Sequence, residues 1–504
     1  MFRKLLIANR GEVALRVIRA CRLLGVSPVA VCSDADRASP HVRLADEVYP
    51  LGGSSPEESY LCAERILEAA ARCGAEAIHP GYGFLAESED FARRCAEAGL
   101  AFVGPSAEVL RLVGNKVAAR EAARAARVPC IPGYEGGDDG EALVQAAERL
   151  GYPVLIKAAR GGGGRGMRRA EDAASLRDAL PGARHEARLA FGEGRLYLEK
   201  LLERPRHIEV QLLGDGRGGA VHLLERECSL QRRHQKVVEE CPAPGLGEGL
   251  RGRLRRAALK LARAVGYGGA GTAEFLVTEE GSFYFLEVNA RLQVEHPVSE
   301  MVTGVDIVAW QLRLAAGEPL SLRQQEVRPR GHSVEARLYA EDPERDFLPQ
   351  SGRVGELRLP SGPGVRVETA LEAGAQVSPH YDPLLAKVVA WGEGREEARR
   401  RLAAALDELV LTGITTNLEL LRRAVRDPDF AAGHVHTASL ERILEGLRQG
   451  AGEPPDEAIL AAALVEGRGE GGPPPGAPGA SGGAVPPSSY DPWRQGGPWR
   501  IGGR

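Results

Sequence analysis

The chain has 504 residues, room for about three domains, and a net charge of −4, which gives no general attraction to nucleic acid or to a membrane surface. No apolar run approaches the roughly 20 residues of a membrane span, and Leu5-Leu6-Ile7-Ala8 is too short for a secretory signal. Eight cysteines without a CxxC pair indicate neither a zinc site nor a disulfide framework, so a reduced cytoplasmic protein is expected.

Residues 1–113 alternate strand and helix: a strand at Leu5–Ala8, a helix over Glu12–Leu24, a strand at Pro28–Ser33, a helix around Glu57–Arg72 and a strand at Ala75–His79. This is the pattern of a parallel α/β sheet. The first turn, Asn9-Arg10-Gly11-Glu12, lacks G-x-G-x-x-G, so no dinucleotide fingerprint is present. His79-Pro80-Gly81-Tyr82-Gly83-Phe84-Leu85 is a glycine-punctuated loop at a strand end, where open α/β sheets bind ligands.

From Lys116 a helical stretch begins, and Gly151–Lys157 reads as a strand ending in lysine. Arg160-Gly161-Gly162-Gly163-Gly164-Arg165-Gly166 follows. Its bare backbone N–H groups can fold over phosphates, although no Gly-Lys-Ser/Thr completes a Walker motif. Strands are expected at Leu196–Leu202 and His207–Gln211. Glu227–Lys236 concentrates polar groups, which by itself describes a solvated face. Residues 331–446 form an α/β cap, opened by the strand Ser333–Leu338 and closed by helices near Glu396–Glu408 and Asn417–Arg426. A short helix is expected over Asp456–Val465, and Gly471–Ser489 has the composition of a flexible linker.

Positive charge is carried almost wholly by arginine; only seven lysines occur. A lysine in such a chain marks a place where a compact ammonium is wanted. Lys116, Lys157, Lys200 and Lys236 fall in or beside the polar segments, whereas Lys4, Lys260 and Lys387 read as ordinary.

Glu287, Asn289, Arg291, Gln293 and Glu295 alternate with apolar residues, so an extended chain would put all five on one face. Upstream, Thr272–Thr278 is a second strand pattern, joined by the short turn Glu279–Ser282. A turn symmetric about Glu280 and Gly281 sets Thr278 opposite Phe283 and Glu274 opposite Glu287. Two facing carboxylates at about 4 Å repel by on the order of 4 kcal/mol at an effective dielectric near 20, unless one is protonated or a cation sits between them. With the Asn289 oxygen beside them they suit Mg²⁺, which takes few protein ligands and completes its shell with water and phosphate.

Taken together, Ala8–Glu12, His79–Phe84, Gly161–Gly166, Gln231-Arg232-Arg233-His234-Gln235-Lys236 and Arg291-Leu292-Gln293-Val294-Glu295-His296-Pro297 make residues 1–446 resemble the biotin carboxylases of the ATP-grasp superfamily. Lys157–Gly161, Trp310–Arg313 and His380–Pro383 are most similar to the biotin-carboxylase part of acyl-CoA carboxylase α subunits, especially the methylcrotonyl-CoA type.

The resemblance implies an α/β and α+β architecture. It would comprise a Rossmann-like N-terminal domain (1–113), an ATP-grasp domain (114–330) with a mobile glycine-rich lid (about 131–203), and a biotin-carboxylase C-terminal domain (331–446), followed by a flexible tail (447–504). It implies that ATP, bicarbonate and biotin give carboxybiotin, ADP and phosphate by way of carboxyphosphate. Lys116, Lys157 and the Gly163-Gly164 backbone would hold the ATP phosphates. Glu199, Lys200, Leu201 and Leu202 would line the adenine pocket, with His207, Gln231 and His234 near the ribose. Glu274, Glu287 and Asn289 would carry Mg²⁺ or Mn²⁺, as two ions. Arg291, Gln293 and the Val294 backbone would bind bicarbonate beside Lys236, with Glu295 as base. Arg337 would stabilise the enolate-like biotin oxygen, and Tyr82 would line the biotin pocket.

No Met-Lys-Met tripeptide occurs, so biotin is expected as a substrate borne by a separate carrier domain, with a carboxyltransferase partner and a homodimer implied by the resemblance. The tail Tyr490–Arg500 is similar to the entry of the linker domain in longer α subunits. The rival readings are another ATP-grasp ligase of the carbamoyl-phosphate-synthetase kind, which should lack the His234–Lys236 block and Arg337, and a catalytically silent nucleotide-binding scaffold.

Overall fold

The computed structural model describes residues 1–134, 139–158, 167–192, 194–449 and 460. The glycine loop with Gly163 and Gly164, most of the expected helix Asp456–Val465, and the tail from 461 onward lie outside the described residues. The chain divides into Met1–Gly450 and Ala451–Arg504; in the second unit Leu460, helical and exposed, is the described residue.

The apolar run at the start becomes β1 (Lys4–Ile7), flanked by β2 (Ser27–Cys32), β3 (Glu47–Pro50), β4 (Ala77–His79) and β5 (Ala101–Phe102). The order is β3-β2-β1-β4-β5 and all pairings are parallel. Burial on both faces is why β1 reads as continuous apolar sequence. The winding reverses between β1 and β4, and the loops leaving these strands meet there. Asn9 Nδ2 donates to the carbonyls of Pro80 (2.7 Å) and Tyr82 (2.8 Å). Gly81 has φ +66°, and a Cβ there would lie 2.7 Å from the same Nδ2, so the loop needs glycine at this point. The first helix runs Gly11–Leu23 as expected. The helix expected around Glu57–Arg72 begins only at Ala63, because turns anchored on the Pro56 carbonyl occupy the residues before it.

A separate four-stranded antiparallel sheet contains β6 (Gly133–Tyr134), β7 (Val154–Ala158), β8 (Arg168–Ala170) and β9 (Leu196–Lys200), in the order β6-β9-β7-β8. Helices Gly140–Leu150 and Ala173–Phe191 bury Leu143, Val144, Leu176 and Leu180 against it.

The largest sheet is antiparallel and eight-stranded. It contains β10 (Arg206–Asp215), β11 (Ala220–Arg232), β12 (Gln235–Cys241), β13 (Gly268–Val277), β14 (Phe283–Asn289) and β15 (His332–Tyr339). The order is β14-β13-β10-β11-β12-β15, continued by the strands Leu384–Gly392 and Val365–Thr369. Ile208, Val210 and Phe275 pack with helix Glu248–Ala264, and Val334, Ala336 and Leu338 with helix Arg395–Glu408. The alternate residues His207, Glu209, Glu274, Glu335 and Arg337 occupy the opposite face, where they too are buried.

Plain alternation would put Glu287 on the face of Phe283 and Phe285, and Lys236 on that of Val238. Two register shifts prevent this. Phe285 faces Phe275 but Glu287 faces Glu274, which leaves Leu286 as the extra residue. Leu230 faces Val238 but Gln231 faces Lys236, which leaves Val237 extra. Each one-residue bulge inverts the phase of its strand and delivers a charged side chain to the polar face.

Three sequence expectations are corrected here. The turn is displaced by one: Val277, not Thr278, faces Phe283, and Thr278 N donates to Ser282 O (2.9 Å), so the Glu274–Glu287 pairing arises from the bulge. The strand ends at Asn289, so Glu287 to Glu295 is not one extended face; Arg291–Glu295 is an irregular segment that enters helix His296–Thr303. Glu227–Lys236 is not a solvated face but the β11–β12 hairpin, with Glu227, Ser229, Gln231 and Lys236 buried. It turns at Arg233 and His234, which take φ +46° and +69° without being glycine, a conformation that concentrates at functional sites.

Candidate active site

The polar face of the large sheet centres on one ammonium. Lys236 Nζ donates to Glu209 (2.5 Å), Glu274 (2.8 Å) and Glu295 (2.6 Å), and all four side chains are buried. Burial alone would lower the Lys236 pKa, but the three carboxylates raise it well above the ordinary lysine value. Burial would push the Glu295 carboxyl up, yet Lys236 and then Arg337 hold it well below the usual carboxylate range. Glu274 is held well below that range too, its burial outweighed by Lys236 and His207. Burial does drive Glu209 up, against the pull of Arg226. Each oxygen of Glu295 has its own cation, Oε1 with Lys236 and Oε2 with Arg337 Nη2 (2.8 Å). Arg337 also pairs with Glu239, and Arg226 with Glu209.

Beside this cluster lies the pair that would take a metal. Glu274 Oε2 meets His207 Nε2 (2.7 Å), Oε1 accepts from Asn289 Nδ2 (2.6 Å), and Glu287 Oε2 stands 3.7 Å from Lys116 Nζ. Burial lowers the His207 pKa, but Glu274 more than restores it, so the net shift is upward. Two carboxylates directly opposite across a sheet project to the same side, and with the amide oxygen of Asn289 they form a hard, all-oxygen donor set that fits Mg²⁺ or Mn²⁺.

The candidates for nucleotide contact divide by what they already hold. Lys116 opens helix Lys116–Ala125, whose N-cap is Asn115. Lys157 on β7 pairs with Glu199 on β9, and Glu199 also pairs with Arg120. Glu199 therefore steadies Lys157. The Lys200 ammonium donates to the carbonyls of Gly151 and Tyr152 (both 2.8 Å). Leu201 N donates to Pro153 O (3.1 Å), and Leu202 adds apolar wall. His234, at the hairpin turn, has its pKa lowered by burial and then by Lys157; Gln231 lies opposite Lys236.

On the other side, Arg291 Nη1 donates to Gln293 Oε1 (3.1 Å), and Gln293 Nε2 donates to Thr272 Oγ1 (2.7 Å). The Tyr82 hydroxyl donates to Glu12. Every candidate among the described residues, from Tyr82 and Lys116 through Val294, Glu295 and Arg337, lines one cleft of about 1180 Å³. Three contributors went unrecognised in the sequence. Glu87 takes the Arg291 Nε (3.0 Å) and the Ala290 N–H (3.0 Å). Glu209 anchors Lys236 and lay in view in the alternating run His207–Gln211. Arg120 had no local signal.

Three family models match the chain: the N-terminal domain of biotin carboxylase over residues 1–110, the ATP-binding domain of the carbamoyl-phosphate synthase L chain over 115–323, and the C-terminal domain of biotin carboxylase over 335–442. The chain is 52% identical over 446 residues to a biotin carboxylase of Pseudomonas aeruginosa, covering 88% of this chain and 99% of that one. It is 47% identical over 462 residues to the mitochondrial methylcrotonoyl-CoA carboxylase subunit alpha of Dictyostelium discoideum, covering 91% of this chain and 66% of the relative, just under two thirds of its length. Among solved structures, the biotin carboxylase domain dimer of Hydrogenobacter thermophilus 2-oxoglutarate carboxylase, crystallised with MgADP, ADP and bicarbonate, superposes with a TM-score of 0.85 at 46% identity, covering 88% of this chain and 99% of that one. A model named for carbamoyl-phosphate synthase covers the middle, but the flanking models, the relatives, the buried Lys236 and the Arg337–Glu295 pair all agree, and the chain belongs to the biotin carboxylase family.

Proposed function

We propose that the protein carboxylates biotin with bicarbonate at the expense of ATP, as the biotin-carboxylase component of an acyl-CoA carboxylase. The observation that carries this reading is the Glu295 carboxylate gripped by Lys236 on one oxygen and Arg337 on the other, at 2.6 and 2.8 Å. Arg291 and Lys236 neutralise bicarbonate, and Glu295 accepts its proton. Because both neighbouring cations hold Glu295 ionised, it is a weak base, and the substrate proton must itself be acidified by Arg291. The carbonate oxygen then attacks the γ-phosphate, ADP leaves, and carboxyphosphate forms. Phosphoryl transfer of this kind needs positioning and charge neutralisation more than covalent help. Lys116 and Lys157 supply positive charge to the phosphates, with Gly163 and Gly164 covering them as part of a lid over about 131–203. Glu274, Glu287 and Asn289 would hold a divalent ion, which would supply positive charge against the phosphates.

Carboxyphosphate splits to CO₂ and phosphate in the closed cleft, and the phosphate takes the ureido N–H proton of biotin. Arg337 stabilises the oxygen that becomes negative, and nitrogen attacks CO₂ to give carboxybiotin. Glu199, Lys200, Leu201 and Leu202 with His207, Gln231 and His234 form the adenosine side; Gln293 and the Val294 backbone position bicarbonate; Tyr82 walls the biotin end. The domain limits that suit this division are 1–113, 114–330, 331–446 and 447–504. Biotin arrives on a separate carrier domain and passes to a carboxyltransferase, and the chain works as a homodimer. None of the eight cysteines is in a disulfide, which suits the reducing, cytoplasmic setting we infer. No helix among the described residues is long and apolar enough to cross a membrane.

The test is ADP release with and without bicarbonate and free biotin. The reading requires that bicarbonate be needed and that biotin accelerate release; release indifferent to bicarbonate would overturn it. Arg337→Ala sharpens the test. Lys236 still anchors Glu295 in that variant, so bicarbonate-dependent ATP cleavage should persist, while biotin carboxylation falls about 10²–10³-fold, as on removal of a donor to a developing oxyanion. Equal loss of both activities would remove the special role of Arg337.

A further inference from the structure

Lys387 carries no motif in the sequence, yet it is one of the seven lysines and is wholly enclosed, at 0% exposure. It sits on the strand Leu384–Gly392, opposite Arg337 on β15 and Glu368 on the outer strand. Its ammonium lies 3.0 Å from Glu12 Oε1 and donates to the Val294 carbonyl at 3.0 Å. The same Glu12 oxygen accepts from the Tyr82 hydroxyl. One ammonium thus touches the first helix, the segment before Glu295 and, through Glu12, the loop that carries Tyr82. A guanidinium is a broad planar fork, whereas an ammonium offers three donors from a point and fits this enclosed junction.

We propose that Lys387 is a positioning residue that sets the biotin-pocket wall and the bicarbonate segment together, through Glu12–Tyr82 on one side and the Val294 carbonyl on the other. The inference rests on the site assignment above and deepens it. The Val294–Glu295 peptide is planar and trans, so fixing its carbonyl also fixes the opposed N–H of Glu295 and the direction in which that residue leaves the chain. Glu12 is buried and its second oxygen has no hydrogen-bond partner, so its only anchors are Tyr82 and Lys387 among the described residues. Removing the ammonium releases both ends at once.

The experiment is steady-state kinetics on the whole chain. Lys387→Met should raise KM for free biotin and KM for bicarbonate together, each by about tenfold, within the usual range of coupling between sites, and leave KM for MgATP within about twofold. Residues that act as a unit are non-additive, so Glu12→Gln/Lys387→Met should be no worse than the poorer single variant. If Lys387→Met fails to fold because Glu12 is left buried and unpaired, the double variant, which removes both charges, carries the same KM test. A rise in only one of the two KM values, equal rises in all three, or additive losses would overturn the role of Lys387. Absence of bicarbonate-dependent ADP release from the unaltered protein would overturn the functional reading instead.

Discussion

Lys236→Met is expected to abolish turnover and to weaken the fold in a way that depends on pH. The substitution leaves Glu209, Glu274 and Glu295 buried without the ammonium that lies within 2.8 Å of each. Removing one partner of a buried ion pair costs about 3–5 kcal/mol, because the remaining charge has no compensation. The sign follows from the direction of each shift. In the unaltered protein Glu274 and Glu295 are held below their unfolded values, so their contribution is present above about pH 4.3 and is lost as pH falls through the depressed folded values. Without Lys236, burial dominates and the folded-state values rise above the unfolded ones. The folded variant then binds protons that the unfolded chain does not, and its stability increases as pH drops from 8 towards 5. Urea unfolding at pH 8 and pH 5.5 measures this. A deficit that is the same at both pH values would show that the three carboxylates do not share the ammonium.

Glu287→Gln should reduce kcat about 10²–10³-fold while leaving the unfolding free energy within about 0.5 kcal/mol of the parent. The asymmetry comes from where the side chain stands. Glu274 is buried and bonded to His207, Lys236 and Asn289, whereas the Glu287 side chain is 33% exposed and its ion-pair contact is Lys116 at 3.7 Å. Glutamine keeps the shape and removes the charge. Mn²⁺ titration followed by electron paramagnetic resonance, in the presence of ADP, should show weakened ion binding in step with the loss of rate. Unchanged Mn²⁺ affinity together with a normal rate would remove Glu287 from the metal site.

The architecture was legible where local patterning governs it. The parallel sheet could be read from uninterrupted apolar strands, and helices such as Gly11–Leu23 and Arg395–Glu408 fell within a residue of expectation. The carboxylate pair was legible for a partly mistaken reason. A turn counted one residue out was offset by the extra residue Leu286, and no rule of alternation reveals a bulge. Val237 hid the facing of Lys236 in the same way. The hairpin turn at Arg233–His234 was invisible because neither residue advertises a left-handed backbone. Glu87 and Lys387 were missed as site components because what defines them is contact across long stretches of chain. Glu87 meets Arg291 204 positions away, and Lys387 meets Val294 93 positions away. The residues that were found belong to dense runs, where several chemical side chains sit close in sequence.

The seam between β12 and β15 has a bearing on how the molecule can be cut. Val238 to Cys241 bonds along Ala336 to Ser333, so the part after residue 331 continues the sheet begun at Arg206 rather than forming a sheet of its own. A fragment ending near residue 330 would bare β12, and one starting there would bare β15, as two long complementary edges with unpaired backbone donors and acceptors. Such halves would rejoin or aggregate in preference to standing alone. A chimaera that exchanges the C-terminal part with a homologue should therefore take its crossover outside this ladder and carry both of its strands from one parent.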